Sequence, residues 1–158
     1  MRKSFSEVPD DFDHHHNYQI AHPVTESLYW GTVVVTSGLL QQPGGPIVLR
    51  AGRHFGPHRG FGIRHIWTER GNDLKKWGYD SIYEVPNFVC DIIQHNANIV
   101  CEFSSMNGHQ RLIVMRGSKG CAVLEGFEMD EEDQLLYSVV TAYRNRSPNG
   151  KAVAKIEL

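Results

Sequence analysis

Between Ala51 and Arg70 the chain reads AGRHFGPHRGFGIRHIWTER, with four glycines, three histidines and four arginines in twenty residues. The stretch runs into residues with helical spacing, and a helix starting at Phe61 or Gly62 puts His65 in its first turns. There the helix macrodipole disfavours an imidazolium and so favours the neutral ring that a general base needs. The same helix end offers free backbone N–H groups to an anion, with Arg53, Arg59 and Arg64 available to support a phosphate. A histidine on a partly apolar helix also serves as an ordinary structural residue, and spacing alone leaves both readings open.

A second group lies in the last strand-like segment, YSVVTAYR. Thr141 and Tyr143 are two apart and share one face of a strand, a hydroxyl beside a phenol. Glu102 and Ser104 do the same in CEFSS. Thr and Tyr are favoured in strands whatever their function, so this group too has a purely structural reading. DHHHN, holding His14, His15 and His16, invites a metal, but adjacent histidines in an extended arm point in alternate directions and chelate poorly. Cys90, Cys101 and Cys121 are odd in number, widely spaced and set among apolar residues, which reads as buried thiols. The sequence has no CxxC pair, no HExxH and no phosphate-binding GxxxxGK[ST]. We therefore expect no metal or other cofactor.

The elements that must position these residues come from periodicity. Residues 1–26 are polar and aperiodic and read as a flexible arm, followed by a single domain over 27–158. LYWGTVVVT and IVLR read as strands on either side of the turn QQPGGP. Phe61, Ile63, Ile66, Trp67, Leu74 and Trp77 approximate one helix face, with Gly78 as the stop. YDSIYEVPNFVCDIIQHN gives a second helix with Ser81 as N-cap and Glu84 three residues on. NIVCEFSS, RLIVMRGSKGCAVLEGFE and QLLYSVVTAYR alternate as strands. The expected fold is α+β, with two helices packed on one face of an antiparallel sheet of about four strands.

At 158 residues, 41% of them hydrophobic, the chain can bury one core. No apolar run approaches the roughly 18 residues of a membrane span, and the polar opening lacks the apolar segment of a secretory signal. A cytoplasmic protein without membrane partners is expected. The net charge of −2 gives no general nucleic-acid footprint, but Arg50 to Lys76 carries seven basic residues against two acids. Screening confines surface fields to roughly 8–10 Å, so such a patch can hold an anion on a slightly acidic molecule.

GRHFGPHRGFGIRHIWTER, the two helices, the alternating sheet and the terminal VVTAYR resemble the phage-type branch of the barnase/EndoU/colicin/RelE-like ribonucleases. The resemblance covers about residues 47–146. It implies a small, toxin-like, metal-independent endoribonuclease in which a base removes the proton of an RNA 2′-hydroxyl and an acid protonates the departing 5′-oxygen. Carried onto this chain, it makes His65, Thr141 and Tyr143 catalytic, with Arg53 and Arg64 on the phosphate. His54, His58, Glu102 and Arg111 are candidates for the remaining acid/base group and for substrate contacts. The family's usual second histidine, one turn after the first, is replaced here by Glu69 or Arg70. Single-stranded or loop RNA is the implied substrate, and a protein inhibitor or immunity protein a possible partner. Three alternatives stay open: a non-catalytic RNA or protein binder of the same fold, an accessory interaction protein, and a metal-dependent hydrolase using His54, His58 and His65.

Overall fold

The structure is a computed structural model that describes residues 15–40, 42–101, 112–116, 119–129, 134–144 and 150–158. The β-branched run TVVV forms β1 (Thr32–Val35), and GPIV forms β2 (Gly45–Val48). A hairpin follows, made of β3 (Arg53–Gly56) and β4 (Arg59–Phe61). Helix α1 (Gly62–Lys76) starts where the spacing places it, and its end is marked by Lys75, Lys76 and Gly78, the last at φ +94°. Ser81 precedes a single 3-10 turn (Ile82–Glu84) and makes no side-chain cap bond; α2 (Val85–Ile92) then begins with Pro86 in its first turn. The remaining strands are β5 (Asn98–Cys101), β6 (Leu112–Met115), β7 (Cys121–Met129), β8 (Gln134–Tyr143) and β9 (Lys151–Glu157).

The expectation of two helices on a four-stranded antiparallel sheet is overturned. Seven of the nine described strands close into a barrel in the order β1-β2-β8-β7-β6-β5-β9, and β3 and β4 form a separate two-stranded sheet. The barrel is mixed, because β2 pairs with β8 in parallel (Ile47 with Tyr137, Val48 with Ser138). Closure depends on β9, which no sequence pattern had marked. It pairs with β1 along one side (Thr32 with Glu157, Val35 with Ala154) and with β5 along the other (Asn98 with Lys155). A closed barrel leaves no strand edge unpaired, which an open four-stranded sheet cannot achieve.

One face of the strands and the two helices share the main core. Ile63, Ile66 and Leu74 of α1 and Phe88, Val89 and Ile92 of α2 meet Leu112, Val114, Leu124, Tyr137, Val139 and Ala142. Trp30 is among the largest buried side chains, and its Nε1–H donates to Ile20 O at 2.9 Å. The opposite strand face carries a smaller cluster of Val100, Ile113, Cys121, Val123, Val140 and Tyr143, with Phe61 packed against it. All three cysteines are buried and free. No described helix is long and apolar enough to cross a membrane.

Candidate functional site

The glycine-rich stretch is a crossing of two backbone segments. Residues 50–52 run against the start of α1, where Ile63 N–H donates to Arg50 O (3.1 Å) and Arg64 N–H to Ala51 O (2.9 Å). Gly52, at φ +81°, lies against the Phe61 carbonyl with no space for a Cβ. The expected anion site at the helix start is therefore partly closed, since two of its first N–H groups are already spent on backbone carbonyls. The other side of the same segment is lined by residues 15–20. Gly52 N–H donates to His16 O (2.9 Å), Ala51 N–H to Tyr18 O (2.8 Å), and Ile20 N–H to Leu49 O (2.8 Å).

The hairpin folds back over the first turns of α1 and brings two histidines together. His65 is buried, with only 3% of its surface exposed, whereas His54 on β3 is exposed. Their Nδ1 atoms face each other at 3.0 Å, with the rings stacked at 5.2 Å. On its far side His65 presents Nε2 to Glu69 Oε1 at 3.2 Å, one helical turn on. Glu69 Oε1 also accepts the backbone N–H of His58 at 3.0 Å, which ties the hairpin turn to the helix. His58 takes φ +59° in that turn. Gly60 makes room for the pair, because a Cβ there would lie 2.7 Å from His65 Nδ1.

Burial is the main influence that holds the His65 imidazole below its ordinary 6.5; Glu69 opposes this, and His54, His58 and Arg70 add to it. The ring is therefore neutral at pH 7, as the sequence reading required.

Arg70 is the arginine whose charge acts on His65, while Arg50, Arg53 and Arg64 gather near His16. Arg53 is exposed on β3 with its guanidinium 5.7 Å from the Phe55 ring centroid. Arg64 donates through Nη1 to Gly52 O at 2.9 Å. Arg50 lies over Phe61 at 4.0 Å and donates to Ser138 Oγ and Asn17 Oδ1, each at 2.8 Å. Burial pushes its pKa down to about 10, against the pull of Glu125, so it stays charged at neutral pH. His16 reaches this group from the N-terminal segment, its ring edge-on to Phe61 at 6.3 Å. Partial loss of solvent is the first influence that lowers its pKa, followed by His15, Arg53, Arg50 and Arg64.

Of the residues expected from sequence, the structure thus brings His54 and His65 together, and separately sets Arg53 and Arg64 near His16. Thr141 and Tyr143 lie on the strand face opposite the main core, with Tyr143 in the smaller cluster and its ring 5.9 Å from the Arg70 guanidinium. Glu102 and Arg111 lie outside the described residues, as does His14. Among the described residues, no three His, Cys, Asp or Glu side chains converge as a metal-ligand set.

Sequence reasoning missed three features here. Glu69 was seen only as a departure from a family pattern, although its i+4 spacing from His65 is a legible signal. Arg50 was read only as part of the basic stretch and His16 only as part of the histidine run, since each gains its neighbours here from chain-distant contacts. A further histidine, His22, stands 3.5 Å from Cys90 Sγ through Nε2. Its Nδ1 accepts the backbone N–H groups of Val24 and Thr25, each at 3.1 Å, so its proton sits on Nε2 and it is no base toward the thiol.

Comparison of the chain with family models, curated proteins and solved structures gave no match.

Proposed function

We propose that the protein is a metal-independent endoribonuclease that cleaves single-stranded or loop RNA by 2′-hydroxyl transesterification, as its sequence resemblance implies. The observation that carries this reading is an exposed histidine, His54, hydrogen-bonded at 3.0 Å to a buried neutral one, on a hairpin beside which Arg50, Arg53 and Arg64 are set near His16. The barrel departs from the fold that came with the resemblance, so the reading rests on these side chains rather than on architecture.

In this reading His54 takes the role first given to His65, because a buried ring cannot reach a ribose. His54 removes the 2′-hydroxyl proton, the 2′-oxygen attacks the adjacent phosphorus, and the bond from phosphorus to the 5′-oxygen breaks, leaving a 2′,3′-cyclic phosphate. Arg53 and Arg64 stabilise the charge that builds on the phosphorane, which a cluster of fixed cations can do without a metal. The proton for the departing 5′-oxygen needs a second donor. His16 is the titratable group set against the same arginines, and because those cations lower its pKa it can give that proton only in its minority protonated form at neutral pH, so the rate should rise as pH falls toward about 6. Thr141 and Tyr143 remain candidates as hydrogen-bond donors to the phosphate.

The test is cleavage of labelled single-stranded RNA in EDTA by wild type and by His54→Ala. Loss of proton transfer should slow cleavage by about 100-fold or more. Near-normal cleavage by His54→Ala overturns this assignment. RNA retained at low salt and released at high salt, with no cleavage by wild type, identifies a non-catalytic binder instead.

A further inference from the structure

We infer that Glu69 is a positioning residue that acts through buried His65 to fix which nitrogen of His54 carries its proton. The functional consequence rests on the ribonuclease reading; the proton arrangement itself does not.

Donors and acceptors set the proton order along this chain of side chains. A carboxylate only accepts, so the contact between Glu69 Oε1 and His65 Nε2 at 3.2 Å requires the His65 proton on Nε2. A neutral imidazole carries one proton, so His65 Nδ1 is then a lone pair. The only way to satisfy the 3.0 Å contact between the two Nδ1 atoms is for His54 to donate from its own Nδ1. That leaves the lone pair of His54 on Nε2, which has no partner among the described residues, on the exposed ring where a substrate proton can reach it. Each member depends on the one behind it. A reversed chain would aim His65 Nε2 as a lone pair at a carboxylate oxygen, placing two acceptors at 3.2 Å.

The surroundings favour the same order. His65 is faced by Glu69 and Arg70 from α1, by His54 from β3 and by His58 from the hairpin turn. The cations among these groups, together with burial, oppose a second proton on His65, so it passes on the influence of Glu69 as a neutral ring. Glu69 also holds the hairpin through the His58 N–H, so the carboxylate that orients His65 fixes the strand carrying His54 as well. When His54 takes a proton on Nε2 it keeps its Nδ1–H donated to His65, and nothing behind it has to reorganise.

Two-bond ¹H–¹⁵N correlation spectra of the whole chain distinguish a protonated from a bare imidazole nitrogen, with His54→Ala and His65→Gln assigning the signals. At pH 7.5 wild type should show His54 as the Nδ1–H form and His65 as the Nε2–H form. Glu69→Ala should let His54 change to Nε2–H or to a mixture. It should also lower kcat for RNA by about 10–100-fold, the usual loss when the partner orienting a functional histidine is removed, with KM little changed. Glu69→Gln keeps an acceptor oxygen for both His65 and the His58 N–H, so it should restore the Nδ1–H form of His54. His54 as Nε2–H in wild type overturns the inference, and this result needs only the two assigning variants to fold. So does an unchanged His54 tautomer in folded Glu69→Ala. The expected tautomers in a protein that cleaves no RNA would uphold the proton arrangement and overturn the ribonuclease reading.

Discussion

Gly60→Ala tests whether the hairpin is held against α1 as closely as the histidine pair requires. Gly60 has φ +148°, a region that side-chain-bearing residues enter at a cost of about 1–3 kcal/mol. An alanine Cβ would also meet His65 at Nδ1 (2.7 Å) and Cγ (2.9 Å), and the Arg53 carbonyl as well. Forcing an extra carbon into such a site costs about 1–3 kcal/mol more. Gly78→Ala is the matched control, since its φ is +94° but an added Cβ meets nothing within 4 Å. It carries the backbone cost alone. At about 2–4 °C per kcal/mol for a domain of this size, Gly60→Ala should lower Tm by of the order of 10 °C and Gly78→Ala by roughly half that. Urea unfolding at pH 7.5 followed by tryptophan fluorescence gives the two free-energy differences. In Gly60→Ala the His54 and His65 imidazole signals should also change, while in Gly78→Ala they should stay as in wild type. A Gly60→Ala protein no less stable than Gly78→Ala, with both signals in place, would refute the close packing of His65 under the hairpin.

Three further outcomes follow from the same structure. Because the folded protein holds His65 below its ordinary 6.5, the unfolded chain binds the proton first as pH falls. Stability should therefore decline from about pH 6.5 down to the folded value and then level off, and urea unfolding of His65→Gln should lack this part of the slope. Cys90, Cys101 and Cys121 are buried, and burial raises the Cys121 thiol further, so iodoacetamide at pH 8 should label none of them until denaturant is added; mass spectrometry reads the count. Removal of Lys151–Leu158 takes away the strand between β1 and β5 and should abolish cooperative unfolding in a thermal melt, whereas a cooperative transition would mean that the barrel closes without it.

Local elements were legible where a period was sustained over several turns or residues. Ile63, Ile66 and Leu74 announce α1, and the β-branched runs announce β1 and β6, because burial on one face imposes the pattern. The β3–β4 hairpin was not legible. Its residues, RHFGPHRGF, do not alternate, and its strands are held by backbone pairing and by glycines that allow close crossing rather than by an apolar face. KAVAKIE is a weak strand by composition, yet β9 is central because two distant strands need it. Barrel closure itself depends on non-local pairings such as Ile47 with Tyr137, which leave no trace in a local window. At the site, the sequence reading chose the basic, histidine-bearing stretch and His65 within it, and the structure buries His65 while leaving His54 beside it exposed. His65 carries the helical signal because it is buried, and the same burial removes it from contact with a substrate. His54 gains its importance only when the hairpin places it on His65.

The most direct test of the account is to incubate the purified chain in EDTA with a labelled single-stranded RNA, with its DNA counterpart, and with the same RNA in which every 2′-hydroxyl is methylated. Cleavage of the unmodified RNA alone, leaving 2′,3′-cyclic phosphate ends and lost in His54→Ala, is the predicted result. Intact RNA under all conditions, or equal cleavage of the DNA or the methylated strand, would contradict it.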